Sequence, residues 1–525
     1  MLSLKIHAPA LRQGWHATDG EISCSASWVR ALQHPMLESY SLRAPGTSAL
    51  VVRERGPGPA ASQVMGREQF AAAIEAACAW PLQTCIALID HTDGTVRVRQ
   101  GSWGTAPVFF CEAEWTLHGH WDPLQLYQHL PGLNSLHPGR AARFLHEFDM
   151  PYSRHTLFDG LQVTTAGSYA RWQGGGIHIA YPREAAPVSR KPLRPGAEPA
   201  QAAVTILDQA IRRWLHDDVR YASELSGGLD SSLVSIVCQQ HRPQWQTYGI
   251  HIDAPGQQPR RQSLIDRFGF VDHTVELDAH LPLARNSPRW QQQVSVPWEE
   301  IYDEGVNVML SLAAQQGVQA MFTGFGGDEL CPLYGDEDPP PPELAALEPA
   351  TCVRTQSDFL TLRAVQAMRN TPRAPAPRAA IDASSLESAA LGSAMYLRHG
   401  IWPIHPLCTP ELNLFCGALP WSWRVGRTIE RRMLRELNCT TEVVDSRVND
   451  SFQTALSAGM RDSATAQLAE LFDAPLLAQA GLVDSKRLQA QFQGWCEDGS
   501  DDEVLPFYSA ASLELCLRHL AGDAA

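Results

Sequence analysis

Residues 224–232 read ELSGGLDSS. The run VRYASEL (219–225) has the length of a short strand, although Ser223 and Glu224 are polar for the interior of a parallel sheet. Beyond the glycines, Leu229, Leu233, Ile236 and Val237 fall at i, i+4, i+7 and i+8, one face of a helix. The stretch therefore predicts a strand, a tight loop and a helix N-terminus. Such a junction presents unpaired N–H groups and the positive end of a helix dipole. Its glycines let an anion approach the backbone closely, and Ser226, Ser231 and Ser232 add hydroxyl donors. The expected guest is a phosphate or pyrophosphate, held by Ser226, Gly227, Gly228, Asp230 and Ser231.

No lysine follows the glycines, which separates this loop from the GxxxxGK[ST] loop of phosphate-transferring NTPases. Asp230 stands there instead. A carboxylate beside phosphates calls for a divalent cation between them, so Mg2+ is implied. A loop that holds two phosphates and a metal, without a lysine for a terminal phosphate, suits pyrophosphate as leaving group and adenylation at the α-phosphorus of ATP. The plainer alternative, a glycine turn that merely ends a strand, accounts for a glycine pair but not for the whole SGGLDS string.

A second stretch, QAMFTGFGGDEL (319–330), again reads strand, glycine loop, acid. Thr323 and Gly324 are candidate nucleotide contacts, and Asp328 is a candidate second metal carboxylate beside Asp230. Two such loops suit a site at the carboxyl ends of a parallel sheet.

Working outward, the 525 residues are 44% hydrophobic, enough for more than one domain with its own core. Acidic residues outnumber basic ones 57 to 42, and with a formal net charge of -15 a nucleic-acid partner held through phosphates is disfavoured. MLSLKIHAPALRQGW at the start lacks the pattern of a signal peptide, and no apolar run is long enough for a membrane span, so a cytoplasmic location is expected. Twelve scattered cysteines without CxxC pairs are expected to be buried thiols.

Up to about residue 185 the pattern is mostly β. CIALIDHTDGTVRVRQ (85–100) carries a hairpin signal at Asp93-Gly94, and APVFFCEAEWTLHGH (106–120) and GLQVTTAGSYARWQGG (160–175) add short strands. AAPVSRKPLRPGAEPA (185–200) reads as a linker. From 200 the pattern alternates strand and helix, opening with the helical spacing of PAQAAVTILDQAIRRWL (199–215), and beyond about 380 it is mainly helical. YGDEDPPPPELAALEPA (334–350) and NTPRAPAPRAA (370–380) read as exposed or mobile insertions, candidate lids over substrate.

At SGGLDSS and the later GxGGDE loop the chain resembles the asparagine synthetase-like superfamily of ATP pyrophosphatases. RQGSWGTAPVFF (99–110), GLQVTTAGSYARW (160–172) and HPLCTPELNLFCGALPW (405–421) extend the resemblance. It implies an Ntn-type (αββα) glutaminase-like domain over 1–185, joined through 185–200 to a doubly wound parallel-sheet synthetase domain over 200–525 with a helical C-terminal part. By the same analogy, Leu225 and Ile252 offer backbone groups to adenine.

A working glutaminase of this family needs cysteine directly after the initiator methionine. This chain reads Met1, Leu2, Ser3, with Cys24 the nearest cysteine, so the first domain is expected to be degenerate. Relatives without that cysteine include β-lactam synthetases, carbapenam synthetases and lasso peptide cyclases, in which the attacking amine belongs to the substrate. SELSGGLDSS, TGFGGDEL and the C-terminal EVLPFYSAASLELCLRHL, read as an amphipathic helix, look most like the lasso cyclases. That implies a precursor-peptide substrate, with a leader-peptide-binding protein and a leader peptidase as partners. β-Lactam synthetases place a catalytic tyrosine where this chain has Phe325, which leaves the general base unassigned. The family's late lysine is missing from EVVDSRVNDSFQ (442–453), where Arg447 is the closest cation.

Other readings stay open. A small-molecule amide or β-lactam-type synthetase and an ammonia-dependent asparagine synthetase-like enzyme are the alternatives within the enzyme class. A non-catalytic peptide-binding scaffold lies outside it, and the two aspartates argue against it. The acids of SVPWEEIYDEG (295–305) read either as a solvated helix start or as a base near the nucleotide. His405 reads as a core histidine or a base, and Trp402, Trp421 and Trp423 as core or as a peptide groove.

Overall fold

The hairpin signal at Asp93-Gly94 becomes one seam of a seven-stranded sheet. Thr84–Asp90 pairs antiparallel with Thr95–Gln100, and Gly94 takes the positive φ that the turn requires. In the computed structural model the described residues are 1–525 except 59, 149, 253–255, 292–295, 339–340, 342–356, 449–452 and 523–525.

Two seven-stranded sheets fill residues 2–180. One runs in the order Gln162–Val163, Phe109–Ala113, Thr116–His120, Leu2–His7, Ser27–Ala31, Glu21–Cys24, His16–Ala17. The other runs His178–Ala180, Tyr169–Trp172, Thr95–Gln100, Thr84–Asp90, Thr47–Glu54, Leu37–Ala44, Gln63–Val64. Alternation along the strands explains how they pack. Leu50 and Val52 face a core shared with Leu4, Ile6 and Val29 of the first sheet. Ala49 and Val51 face outward, under Phe70 and Ala77 of the helix Arg67–Cys78. The far face of the first sheet, with Phe109 and Cys111, is covered by Ala141, Phe144 and Leu145 of the helix Pro138–Glu147.

After the irregular 185–198 stretch, the helix Pro199–Arg212 leads into a wholly parallel five-stranded sheet. Its order is Val271–Glu276, Gln246–His251, Tyr221–Glu224, Ala320–Phe322, Trp402–Ile404. The chain starts at the centre, winds to one edge, then returns to the other side. The reversal therefore falls between Tyr221–Glu224 and Ala320–Phe322, the two strands that feed the glycine loops. Ala203 and Leu207 of the first helix and Leu233, Ile236 and Val237 of the helix Leu229–His241 cover one face. Met309 and Leu310 of the helix Asp303–Gln315 and Met395 and Tyr396 of the helix Ala383–Arg398 cover the other. The chain is thus mixed α/β, with a parallel sheet and a helical C-terminal part.

Several expectations are corrected. The C-terminal helix Leu505–Ala521 is not amphipathic: every residue from Leu505 to Leu517 is buried, because it runs through the second hydrophobic core. Its Glu514 carboxylate accepts the N–H groups of Leu476 and Leu477. The acids of 295–305 are no solvated helix start, since Glu304 pairs with buried Arg289 and Glu299 with Arg398. Of the two readings left open for the tryptophans, Trp402 takes the core one, with its indole N–H donated to Glu54 at 2.7 Å, while Trp423 lies under Arg432. The 370–380 stretch is irregular and mostly exposed, as its composition suggested, with two backbone ties: Ala376 N–H donates to Tyr152 O and the Arg378 carbonyl accepts from Ala185. Most of the 334–350 stretch lies outside the described residues.

Arg398 joins the two halves of the chain. It binds Asp122 from the β-rich half and Glu299 from the half that carries the parallel sheet, at 2.7 and 2.9 Å. Both carboxylates are almost fully buried, and burial pushes Glu299 up to about 7. Arg398→Met strands both, and is expected to lower unfolding free energy by about 3–5 kcal/mol near neutral pH. A carboxylate raised by burial destabilises the fold above its pKa and ceases to once protonated. The deficit in urea unfolding is therefore expected to shrink as pH falls below 7; a pH-independent deficit would contradict this account.

Candidate active site

The polar residues that looked out of place in the central strand have partners. Ser223 Oγ bonds Ser235 Oγ at 2.7 Å and accepts the Trp245 indole N–H at 2.9 Å, both within the helix-covered face. Glu224, on the opposite face, accepts the phenol of Tyr396.

The loop itself turns on Gly227, whose φ of +87° favours glycine. Gly228 caps the helix Leu229–His241, with Asp230 in the first turn. Ser226 Oγ and Ser231 Oγ bond each other at 2.9 Å and accept the N–H groups of Gly228 and Ser226. These are N–H groups that a phosphate oxygen can take over. Arginines behind the loop hold its carbonyls: Arg261 Nε donates to Leu225 O at 2.6 Å, and Arg260 Nε to Gly227 O at 3.3 Å. Arg261 is in turn fixed by Asp272.

The second loop packs directly onto the first. A Cβ on Gly324 would sit 2.8 Å from the Ser231 backbone nitrogen, so this position has no room for a side chain. The contact brings Asp230 and Asp328 to one guanidinium. Arg427 binds both carboxylates, that of Asp328 at 2.7 Å, and also binds Glu430. Burial and the charge of Asp328 raise Asp230 to about 6 against the opposing pull of Arg427. Burial raises Glu430 as well.

Several predicted residues are placed differently from expectation. Arg447 is exposed and makes none of these contacts among the described residues, whereas Arg427 is the cation the fold brings to Asp230 and Asp328. Arg427 had no sequence signal beyond being one of several arginines in VGRTIERRMLREL (425–437). Thr323 is fully buried and its hydroxyl bonds His405 Nδ1 at 2.7 Å, so it braces the second loop rather than facing a nucleotide. Buried His405, pushed down to about 3, stacks on Phe325 and belongs to the core. The N–H groups of Leu225 and Ile252 are consumed by Tyr248 O and by Gln257 Oε1, and the Leu225 carbonyl by Arg261, so the backbone groups expected to meet adenine are engaged within the fold.

The residues present fit Mg2+. Three carboxylates face one guanidinium, so the site carries a negative excess, and Asp328 is half exposed. Among the described residues no group of three or more His, Cys, Asp or Glu forms a complete metal cage. Mg2+ commonly uses one or two carboxylates and completes its shell with substrate phosphates and water. Arg427→Met removes the internal counterion, and is expected to lower thermal stability without Mg2+ while increasing the rise in Tm that Mg2+ produces. Equal Mg2+ responses in wild type and variant would contradict this.

The comparisons bear on the same region. A family model described as asparagine synthase matches residues 204–518. No curated protein matches this sequence. Among solved structures, the U34-tRNA thiolase NcsA from Methanococcus maripaludis, solved with its 4Fe–4S cluster, is 12% identical, covers 57% of this chain and 80% of its own, and has a TM-score of 0.26. A likeness that low carries no argument. The family match spans well over half of the chain and takes in both glycine loops and the arginine between them: the chain belongs to the asparagine synthase family and is an ATP-dependent carbon–nitrogen ligase.

Proposed function

We infer that this ligase activates a substrate carboxylate as an acyl-adenylate, releasing pyrophosphate, and that an amine of the same molecule then displaces AMP to close a macrolactam. The observation that carries the adenylation reading is the convergence of Asp230 and Asp328 on Arg427, beside a phosphate loop that has no lysine. Ser226, Gly227, Gly228 and Ser231 hold the pyrophosphate, and Asp230 and Asp328 hold Mg2+. The metal, when bound, neutralises phosphate charge and helps orient the leaving group. The chain's own contribution is positioning and fixed charge at the C-terminal ends of the strands.

The intramolecular amine is favoured by the β-rich half, read here as a degenerate Ntn-type (αββα) glutaminase-like domain. Cys24 is buried with its thiol donated to Gln13, and burial pushes Cys85 and Cys111 up to about 11 and 12. Thiols in that state are poor nucleophiles for releasing ammonia from glutamine. The substrate class proposed is a precursor peptide of the lasso type, delivered by a leader-binding protein and freed by a leader peptidase. The small-molecule β-lactam alternative is disfavoured because Phe325 has no proton to exchange.

The test is mass spectrometry of peptides after co-expression with the neighbouring genes, with wild type and with Asp230→Asn. The expected result is a core peptide one water lighter and resistant to carboxypeptidase, lost in the variant. If no such peptide forms while the purified enzyme converts ATP to AMP and pyrophosphate with small amino acids, the small-molecule reading replaces it.

A further inference from the structure

The central strand ends in a carboxylate that the adenylation step leaves without a task. Glu224 is the last residue of that strand, two positions before Ser226 of the phosphate loop. Strand alternation sends Ser223 toward the helix Leu229–His241 and Glu224 to the opposite face. There Tyr396, itself buried, donates its phenol to Glu224 Oε1. The helix carrying Tyr396 also reaches the second loop, since Gly392, one turn earlier, faces the Phe325 ring. One turn is about 5 Å along a helix axis. The Glu224–Tyr396 pair is therefore connected to both loops, on the side of the sheet that Phe325 borders.

Amide formation needs a proton acceptor. When the amine nitrogen attacks the acyl-adenylate carbonyl, the N–C bond forms, the C–O bond to phosphate breaks, and AMP leaves with the electron pair. One N–H proton must then go to a base. Phe325 and Thr323 cannot serve, and His405, its Nδ1 bonded to Thr323 and its ring pushed down to about 3 by burial, is too weak a base. We propose that Glu224, held in place by Tyr396, accepts the proton that the attacking amine loses. This rests on the adenylation-then-aminolysis reading. Tyr396 acts as a positioning residue: it fixes Oε1 and leaves Oε2 for the amine.

The electrostatics agree with the geometry. Burial pushes Glu224 up to about 7, offset by the hydrogen bond from Tyr396 and reinforced by the charge of Glu300. A general base works best with a pKa near the operating pH. The titratable groups facing Glu224 are Tyr396, from the helix Ala383–Arg398, and Glu300, from the segment leading into the helix Asp303–Gln315. Asp303 and Arg289 act one step removed, on Glu300.

The test separates the two half-reactions in the full-length enzyme. Pyrophosphate exchange into ATP, driven by the linear core peptide, reads adenylation. Cyclised peptide reads aminolysis, and added hydroxylamine, an amine already unprotonated near neutrality, traps the acyl-adenylate without needing a base. Glu224→Gln is expected to keep exchange and hydroxamate formation and to lose cyclisation by about 10²–10⁴-fold. Two further variants should move the acidic limb of the cyclisation rate in opposite directions. Tyr396→Phe removes a bond to the carboxylate, raises its pKa and shifts the limb to higher pH. Glu300→Gln removes a like charge and shifts it lower. A buried carboxylate with a purely structural role predicts neither shift. Unchanged cyclisation in Glu224→Gln, or limbs that stay in place in the other two variants, would overturn the proposal. Absence of exchange in the wild type would overturn the adenylation reading itself.

Discussion

Three carboxylates from separate parts of the chain meet one guanidinium, and the arrangement of the site depends on that meeting. Asp230 comes from the first loop, Asp328 from the second, and Glu430 from the turn after Arg427 itself. Left alone, such charges would repel and resist burial. Arg427 reconciles them, but at a local cost. It adopts a left-handed backbone conformation with φ of +56°, directly after Gly426 at +60°. For a residue with a Cβ that conformation costs about 1–2 kcal/mol, which the charge pairing must offset.

The same arrangement explains why the surroundings are rigid. The loop carbonyls are held by Arg260 and Arg261, and Arg261 is anchored through Asp272 on the edge strand. The second loop is braced by Thr323 and His405, with Phe325 stacked on that histidine. The braces come from the helix Gln257–Phe268, from the edge strand Val271–Glu276 and from the residues that follow the strands Ala320–Phe322 and Trp402–Ile404. A nucleotide entering this cleft meets groups already fixed in position, and preorganised charge is a large contribution that such a protein can make to catalysis.

The β-rich half is more than an appendage. Its sheets share one continuous hydrophobic cluster with the helices of the synthetase half. Arg398 and Trp402 add polar ties, to Asp122 and to Glu54. Trp402 belongs to the edge strand beside Ala320–Phe322, so the β-rich half buttresses the sheet that carries the second loop. This gives the β-rich half a physical role that does not depend on any chemistry of its own.

Local pattern alone was enough for the strand, loop and helix around SGGLDSS, for the second loop, and for the early hairpins. Glycine placement, apolar spacing and turn residues act over a few positions, so they can be read directly. The roles of Asp230 and Asp328 as neighbours also followed, because two strand-end loops in one parallel sheet must converge where strand order reverses. Arg427 was not legible, since nothing in an arginine-rich helix start marks which guanidinium turns inward. Nor were the partners of Ser223 and Glu224, the buried pairs of Glu299 and Glu304, or the all-round burial of the last helix. Each depends on contacts between residues tens to hundreds of positions apart. A charged or polar side chain looks solvent-facing in sequence until the fold supplies the counterion or donor that makes its burial tolerable.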